Sequence, residues 1–137
     1  MKCHACNQET FERRAVELQT RVGDHLVVDH SIRRPVCTHC GEFTIPATTL
    51  ETVELRAALV AFTEAPRVTG AMLRFARKAL GLTQSELAER LGSSLESVSR
   101  WEREERPMEL WVPLAVLGLV RARLMPAPDD VELRKAI

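Results

Sequence analysis

At 137 residues and 15.4 kDa the chain has room for one ordinary domain or two small ones, which excludes a large enzyme core. Its 19 Lys and Arg balance its 19 Asp and Glu, and 45% hydrophobic with 28% charged residues describes a folded soluble protein rather than a disordered one. The longest apolar run, Leu114 to Val120, has seven residues against the roughly 20 that cross a bilayer, so no membrane partner is expected.

The opening residues Met1-Lys2-Cys3-His4 carry no apolar h-region, and a cytoplasmic location is the expectation. In a reducing compartment four cysteines point to metal ligands or redox thiols before disulfides. Cys3-x2-Cys6 and Cys37-x2-Cys40 form two knuckles 30 residues apart, so four thiolates converge on one ion if the chain between them folds back. That chain has the means: Phe11 to Val22 ends in alternation, Gly23-Asp24 is a turn signal, and His25 to Ile32 is β-branched and apolar, predicting a β-hairpin. Asn7 and Gly41 follow the second cysteine of each knuckle and tolerate the unusual backbone needed there. A unit of about 45 residues with few aromatics buries too little surface alone, which makes a single zinc ion the source of its folding energy. Four cysteines close the shell, so the ion is structural; disulfides and redox thiols are the alternatives, and His4 and His39 read as surface histidines.

Thr48-Thr49-Leu50-Glu51 matches a capping box, and Leu55, Leu59 and Phe62 follow at helical spacing, predicting a helix over 48–63. Pro66 disfavours helical geometry at Ala65 and marks a linker over 63–68, giving domains at 1–65 and 66–137. Three further starts follow: Thr69 before Gly70 to Leu80, Thr83-Gln84-Ser85-Glu86 as a capping box, and Ser93 or Ser94 before Leu95. Gly81 and Gly92 supply the stops. Another helix occupies part of 108–124 with Pro113 in its first turn and Trp111-Val112 ahead of it. Beyond Pro128, Asp129 either caps a last short helix or the tail frays. The fold class is α+β: a small zinc-bound β-hairpin domain with a helix, then an all-α helix-turn-helix domain.

Leu73, Ala76, Leu80, Leu82, Leu87, Ala88, Leu91, Val98 and Trp101 recur at spacings that place them in one small core. The run LRFARKALGLTQSELAERLG followed by SVSRWE resembles the XRE-type phage-repressor DNA-binding domains over about residues 68–124. Joined to the Cys-x2-Cys, hairpin, Cys-x2-Cys module, the whole chain resembles the MqsA-type antitoxins. The resemblance implies a homodimer that represses its own operon on a palindromic operator in double-stranded DNA and neutralises a co-encoded mRNA-cleaving toxin, a ribonuclease.

In such a motif the recognition helix enters the major groove by its first turns, which here are residues 94–100. Arg100 is the foremost base-reading candidate, since guanidinium binds guanine O6 and N7 bidentately; a surface salt bridge is the alternative. Glu96 stands where this antitoxin type often carries Asn, so it either accepts from cytosine N4 or only aids the helix start. Ser94 and Ser97 suit phosphate or base, Leu95 suits a thymine methyl, and Gln84 matches the family's phosphate-binding glutamine. Arg77 and Glu102 match an internal salt bridge of the family. After Glu102 the usual glycine is replaced by Arg103-Glu104-Glu105-Arg106-Pro107: a left-handed stop at Glu104 would be costly, so either the helix runs on or Arg103 and Arg106 serve the DNA backbone.

Residues 67–125 hold ten basic and seven acidic groups, net +3, and residues 1–66 hold seven and nine, net −2. The weakly basic half needs two copies on DNA, and an acidic half suits a basic protein partner. Leu114 to Val120 is apolar around the helix, which places a dimer interface at Trp111, Leu114, Leu117 and Val120; a helix buried in the monomer is the alternative. The principal reading is an antitoxin, and the other is a stand-alone zinc-containing transcriptional regulator. No catalytic constellation supports an enzyme; thiol redox chemistry at the CxxC pairs is the only foothold for one.

Overall fold

The computed structural model describes residues 1–136. Strand β1 (Phe11–Val22) and strand β2 (His25–Cys37) pair antiparallel, from Phe11 opposite Cys37 to Val22 opposite His25. At the two-residue turn Gly23 takes φ +61 while Asp24 stays in the ordinary region, the II′ pattern that suits the twist of a hairpin. Strand β2 runs five residues past the predicted end at Ile32, through Pro35. In a two-stranded sheet every strand is an edge, so a proline can be aimed outward without costing a ladder bond.

The ladder slips once. Val16 faces Ile32 and Leu18 faces Asp29, so β2 carries one extra residue at His30-Ser31. Asp29 Oδ1 accepts from the Ser31 N–H at 2.9 Å and from Ser31 Oγ at 2.6 Å, holding the bulge, and Oδ2 meets Arg56 Nε at 3.2 Å.

Five helices follow: α1 (Ala47–Glu64), α2 (Gly70–Ala79), α3 (Gln84–Leu91), α4 (Leu95–Glu102) and α5 (Trp111–Leu124). The capping box expected at Thr48 does not form. Pro46 is the N-cap of α1, with φ −62 and ψ 150 and no side-chain cap bond, so Thr48 to Glu51 lie already inside the helix. The helix ends as Pro66 requires, with Ala65 extended. The box at Thr83 does form, and Thr69 caps α2 as expected, with the Met72 sulfur also reaching back to the Thr69 N–H. Helix α5 starts at Trp111, so Trp111-Val112 belong to it and Pro113 sits in its first turn, where no N–H is missed. Residues 125–136 form no helix or strand, so the short helix capped by Asp129 is absent; Ile137 lies outside the described residues.

The core draws Leu55, Ala58 and Phe62 of α1, Met72 and Leu73 of α2, Leu87 of α3, Val98 and Trp101 of α4, and Val112, Val116 and Val120 of α5 into one cluster. Val22, at the hairpin tip, is wholly buried in the same cluster. Arg123 Nη1 donates to the Leu80 carbonyl at 3.0 Å and ties the end of α5 to the end of α2. Among the described residues no helix is long and apolar enough to cross a membrane.

Candidate metal centre and nucleic-acid interface

The two cysteine knuckles are built alike. Cys3 N–H donates to the Gln8 carbonyl (2.8 Å) and the Cys3 carbonyl accepts from Asn7 (2.9 Å); Cys37 N–H donates to Glu42 (2.9 Å) and its carbonyl accepts from Gly41 (2.8 Å). Asn7 and Gly41 close these loops in the left-handed region, at φ 63 and φ 80, as their side chains allow. The paired register of β1 and β2 then brings the knuckles together, and all four sulfurs lie within 4.8 Å of one another. Sγ of Cys3 and Cys40 are 3.5 Å apart, as are those of Cys6 and Cys37. Zinc–sulfur bonds of about 2.3 Å in a tetrahedron require sulfurs about 3.8 Å apart, so the cage fits zinc.

The thiols themselves call for a cation. The Cys40 and His39 N–H groups aim at Cys37, and against the cost of burial they hold it down to about 6. At Cys40 the Glu42 N–H favours the thiolate, but burial and the three neighbouring sulfurs outweigh it and push Cys40 up to about 12. Cys6 is raised too: the Gln8 N–H is outweighed by burial and the Cys37 sulfur. Four adjacent sulfurs cannot share four negative charges without a counter-ion, and a dication removes that conflict. His4 and His39 are exposed and stand outside the cluster.

In the helical half, Gly92 ends α3 in the left-handed conformation (φ 63) and sends the chain into α4. Ser94 Oγ caps α4, accepting from the Ser97 N–H at 3.1 Å, and lies 3.0 Å from Ser97 Oγ. Leu95, Glu96 and Arg100 stand on its exposed side, with Arg100 Nη2 a loose 3.9 Å from Glu96. Arg106 returns from the loop after α4 to donate to Ser97 Oγ at 3.3 Å. Gln84 is half-buried and donates to Glu102 at 3.2 Å. Glu102 also takes both arms of Arg77, at 2.7 and 3.1 Å, so this pair is internal as expected.

Helix α4 stops at Glu102. Glu104 adopts φ +57, its N–H bonds the Trp101 carbonyl and the next N–H reaches that of Arg100, the Schellman pattern that Gly81 and Gly92 complete at their own helix ends. The costly left-handed stop therefore occurs, and the helix does not run on. Its compensation is the Glu104 carboxylate, which accepts from the Gly70 N–H at 3.0 Å and from Arg67 at 3.1 Å. Gly70 and Arg67 have no motif that marks them; their partner is more than thirty positions away.

On α5, Val112, Val116 and Val120 recur every fourth residue and point inward. Val120 is 1% exposed and is thereby removed from the expected interface. Trp111 and Leu114 (68%) remain exposed, Leu117 is half-buried, and Leu110 (86%), which the sequence did not single out, joins them. Leu110, Leu114 and Leu117 line a cleft of about 800 Å³ together with Phe62, Val68, Trp101 and Met108. The indole N–H of Trp101 is buried without a partner among the described residues, and its ring meets that of Trp111 edge-on at 6.1 Å.

Comparison with known proteins yields one family: the antitoxin component of the bacterial toxin-antitoxin system, MqsA, whose model matches residues 1–123. None of the curated proteins compared with the chain matches it. The family match spans both knuckles, the hairpin and every helix up to the last residue of α5 but one. A cage that fits zinc followed by a helix-turn-helix, under a match of that length, makes this chain a member of the MqsA antitoxin family.

Proposed function

We infer that this antitoxin represses its own operon as a homodimer on a palindromic operator and neutralises a ribonuclease toxin. An antitoxin of this family is a regulator and not an enzyme. Residues 66–137 carry DNA binding and dimerisation, and residues 1–65, held by zinc, capture the toxin. The observation that carries the DNA half is the exposed side of α4, where Leu95, Glu96 and Arg100 stand beside a Ser94, Ser97 and Arg106 cluster. In this reading Arg100 binds guanine, Glu96 accepts from cytosine N4, and Arg106, Ser94 and Ser97 hold phosphate. Gln84, at the start of α3, turns from Glu102 to a phosphate where free backbone N–H groups favour anions. Trp111, Leu114 and Leu117, with Leu110, form the dimer contact, since one weakly basic half gains specificity only by binding twice, about 34 Å apart.

Expression with the flanking genes, followed by mass spectrometry of what co-elutes, tests the toxin half. A stoichiometric small basic protein that is lost on truncation before Thr48 supports it. Elution with zinc and DNA alone favours a stand-alone regulator. For the DNA half, Arg106→Ala is expected to weaken binding to all duplexes alike and to flatten its salt dependence, measured by fluorescence anisotropy. A loss confined to one sequence overturns that role.

A further inference from the structure

The hairpin is held at both ends. At its base the knuckles grip it, with Phe11 paired to Cys37 and the Thr38 N–H on the Thr10 carbonyl at 3.0 Å. At its tip Val22 is sunk in the helical core, and Gly23 lies so close to α2 that a Cβ there would sit 2.9 Å from Met72 Cγ and 3.3 Å from Thr69 Oγ1. Between the ends β1 spans about 40 Å at 12 residues. An isolated two-stranded hairpin is marginal in water, so this one depends on its attachments.

The residues beneath the tip are those that anchor α4. Thr69 Oγ1 caps α2 through the Met72 N–H, and the Met72 sulfur accepts from the Thr69 N–H at 3.4 Å. The next residue, Gly70, packs against the Trp101 and Glu102 carbonyls so tightly that no Cβ fits, and its N–H holds the Glu104 carboxylate. Hairpin tip, start of α2 and end of α4 thus form one stack.

The geometry points to the hairpin as a lever that couples the cysteine cage to the recognition helix: an ion in the cage stiffens the hairpin, which steadies α2 and, through Gly70 and Glu104, the end of α4. The inference rests on the reading of α4 as the DNA-contacting helix. Coupling of this kind is reciprocal, so DNA that favours the ordered α4 must tighten the hold on zinc by the same factor.

The experiment uses the full chain under reducing conditions, zinc-loaded and zinc-stripped, as native protein and as Gly23→Asn. Asn tolerates a positive φ better than most L residues, and its Cβ is driven into Met72, so the turn is strained and the tip displaced. The first readout is affinity for a duplex covering the region upstream of the chain's own gene. Zinc removal is expected to weaken binding about tenfold in the native protein and much less in Gly23→Asn, whose tip is already displaced. Equal factors in the two proteins, or none in either, overturn the coupling. The second readout is amide exchange. Zinc removal is expected to speed exchange in the first turn of α2 and the last turn of α4 beyond that in the middle of α5, in the native protein and not in the variant. Uniform acceleration, or none, overturns the coupling too. If the chain binds no duplex, the reading of α4 fails while exchange still decides the coupling. Should Gly23→Asn not fold, Met72→Leu conserves volume, removes the sulfur bond to Thr69, and is read in the same two ways.

Discussion

Glu104 holds a backbone conformation that costs an L residue roughly 1–2 kcal/mol, and its side chain offsets that cost by bonding Gly70 and Arg67. The two contributions are separable. Glu104→Ala keeps the strain and loses the bonds, whereas Glu104→Gly loses the bonds and the strain together, so Ala is expected to be the less stable by about 1 kcal/mol in urea denaturation. Asp29 gives a pH-dependent counterpart. Burial works against its charge, but the Ser31 hydroxyl and N–H and the Arg56 guanidinium win and hold its carboxyl below the ordinary 3.8. A folded-state value lowered in this way stabilises the protein above pH 3.8 and ceases to do so as pH falls through the lower folded value. Asp29→Asn is therefore expected to have a lower urea midpoint than the native chain at pH 7, with the gap closing below pH 3.8. A gap that persists unchanged to pH 3 removes the ion pair as its source. Of these residues the sequence revealed the strain at Glu104 but not its remedy, since Gly70 and Arg67 become neighbours only when α2 and α4 pack.

At the level of elements, local chemistry was readable at Thr83 and Ser94, where the side chain and its backbone partner are three residues apart. The Thr83 box forms as its spacing dictates, with Glu86 returning to the Thr83 N–H at 3.0 Å and held below the usual carboxylate range by that N–H. The same spacing at Thr48 misleads, because Pro46 already sets an extended φ, ψ and starts α1 earlier. Thr83→Ala is expected to cost about 1 kcal/mol and Thr48→Ala close to nothing, measured by thermal unfolding. Strand β2 shows the other limit. Pro35 reads as a strand breaker, yet it pairs opposite Arg13 because a two-stranded sheet offers an outward edge, and sheet size is not a local property.

Over the whole molecule, the placement of α5 decides what faces solvent. Its sequence is apolar on every side, so periodicity alone could not choose a buried face; packing against α1 and α2 turns Val112, Val116 and Val120 inward and leaves Leu110 and Leu114 outside. Leu114→Arg is therefore expected to leave the fold intact, to shift the proposed dimer to monomer in light scattering and to weaken operator binding. A dimer that persists would place the contact elsewhere.

The cysteine cage, the helix-turn-helix and most helix ends were legible in the 137 residues alone, because they depend on ligand identity, on hydrophobic period and on backbone chemistry that acts within a few positions. The cage is the widest reach of that kind: its knuckles are 30 residues apart, but the alternating strands and the Gly23 turn between them dictate that they meet. Tertiary packing alone placed the hairpin tip under α2, Glu104 on Gly70, Arg106 on Ser97 and the valines of α5 in the core. Each of these joins surfaces of separate elements, and which surfaces meet depends on burying apolar area while leaving few buried donors unpaired, a balance struck by the chain as a whole.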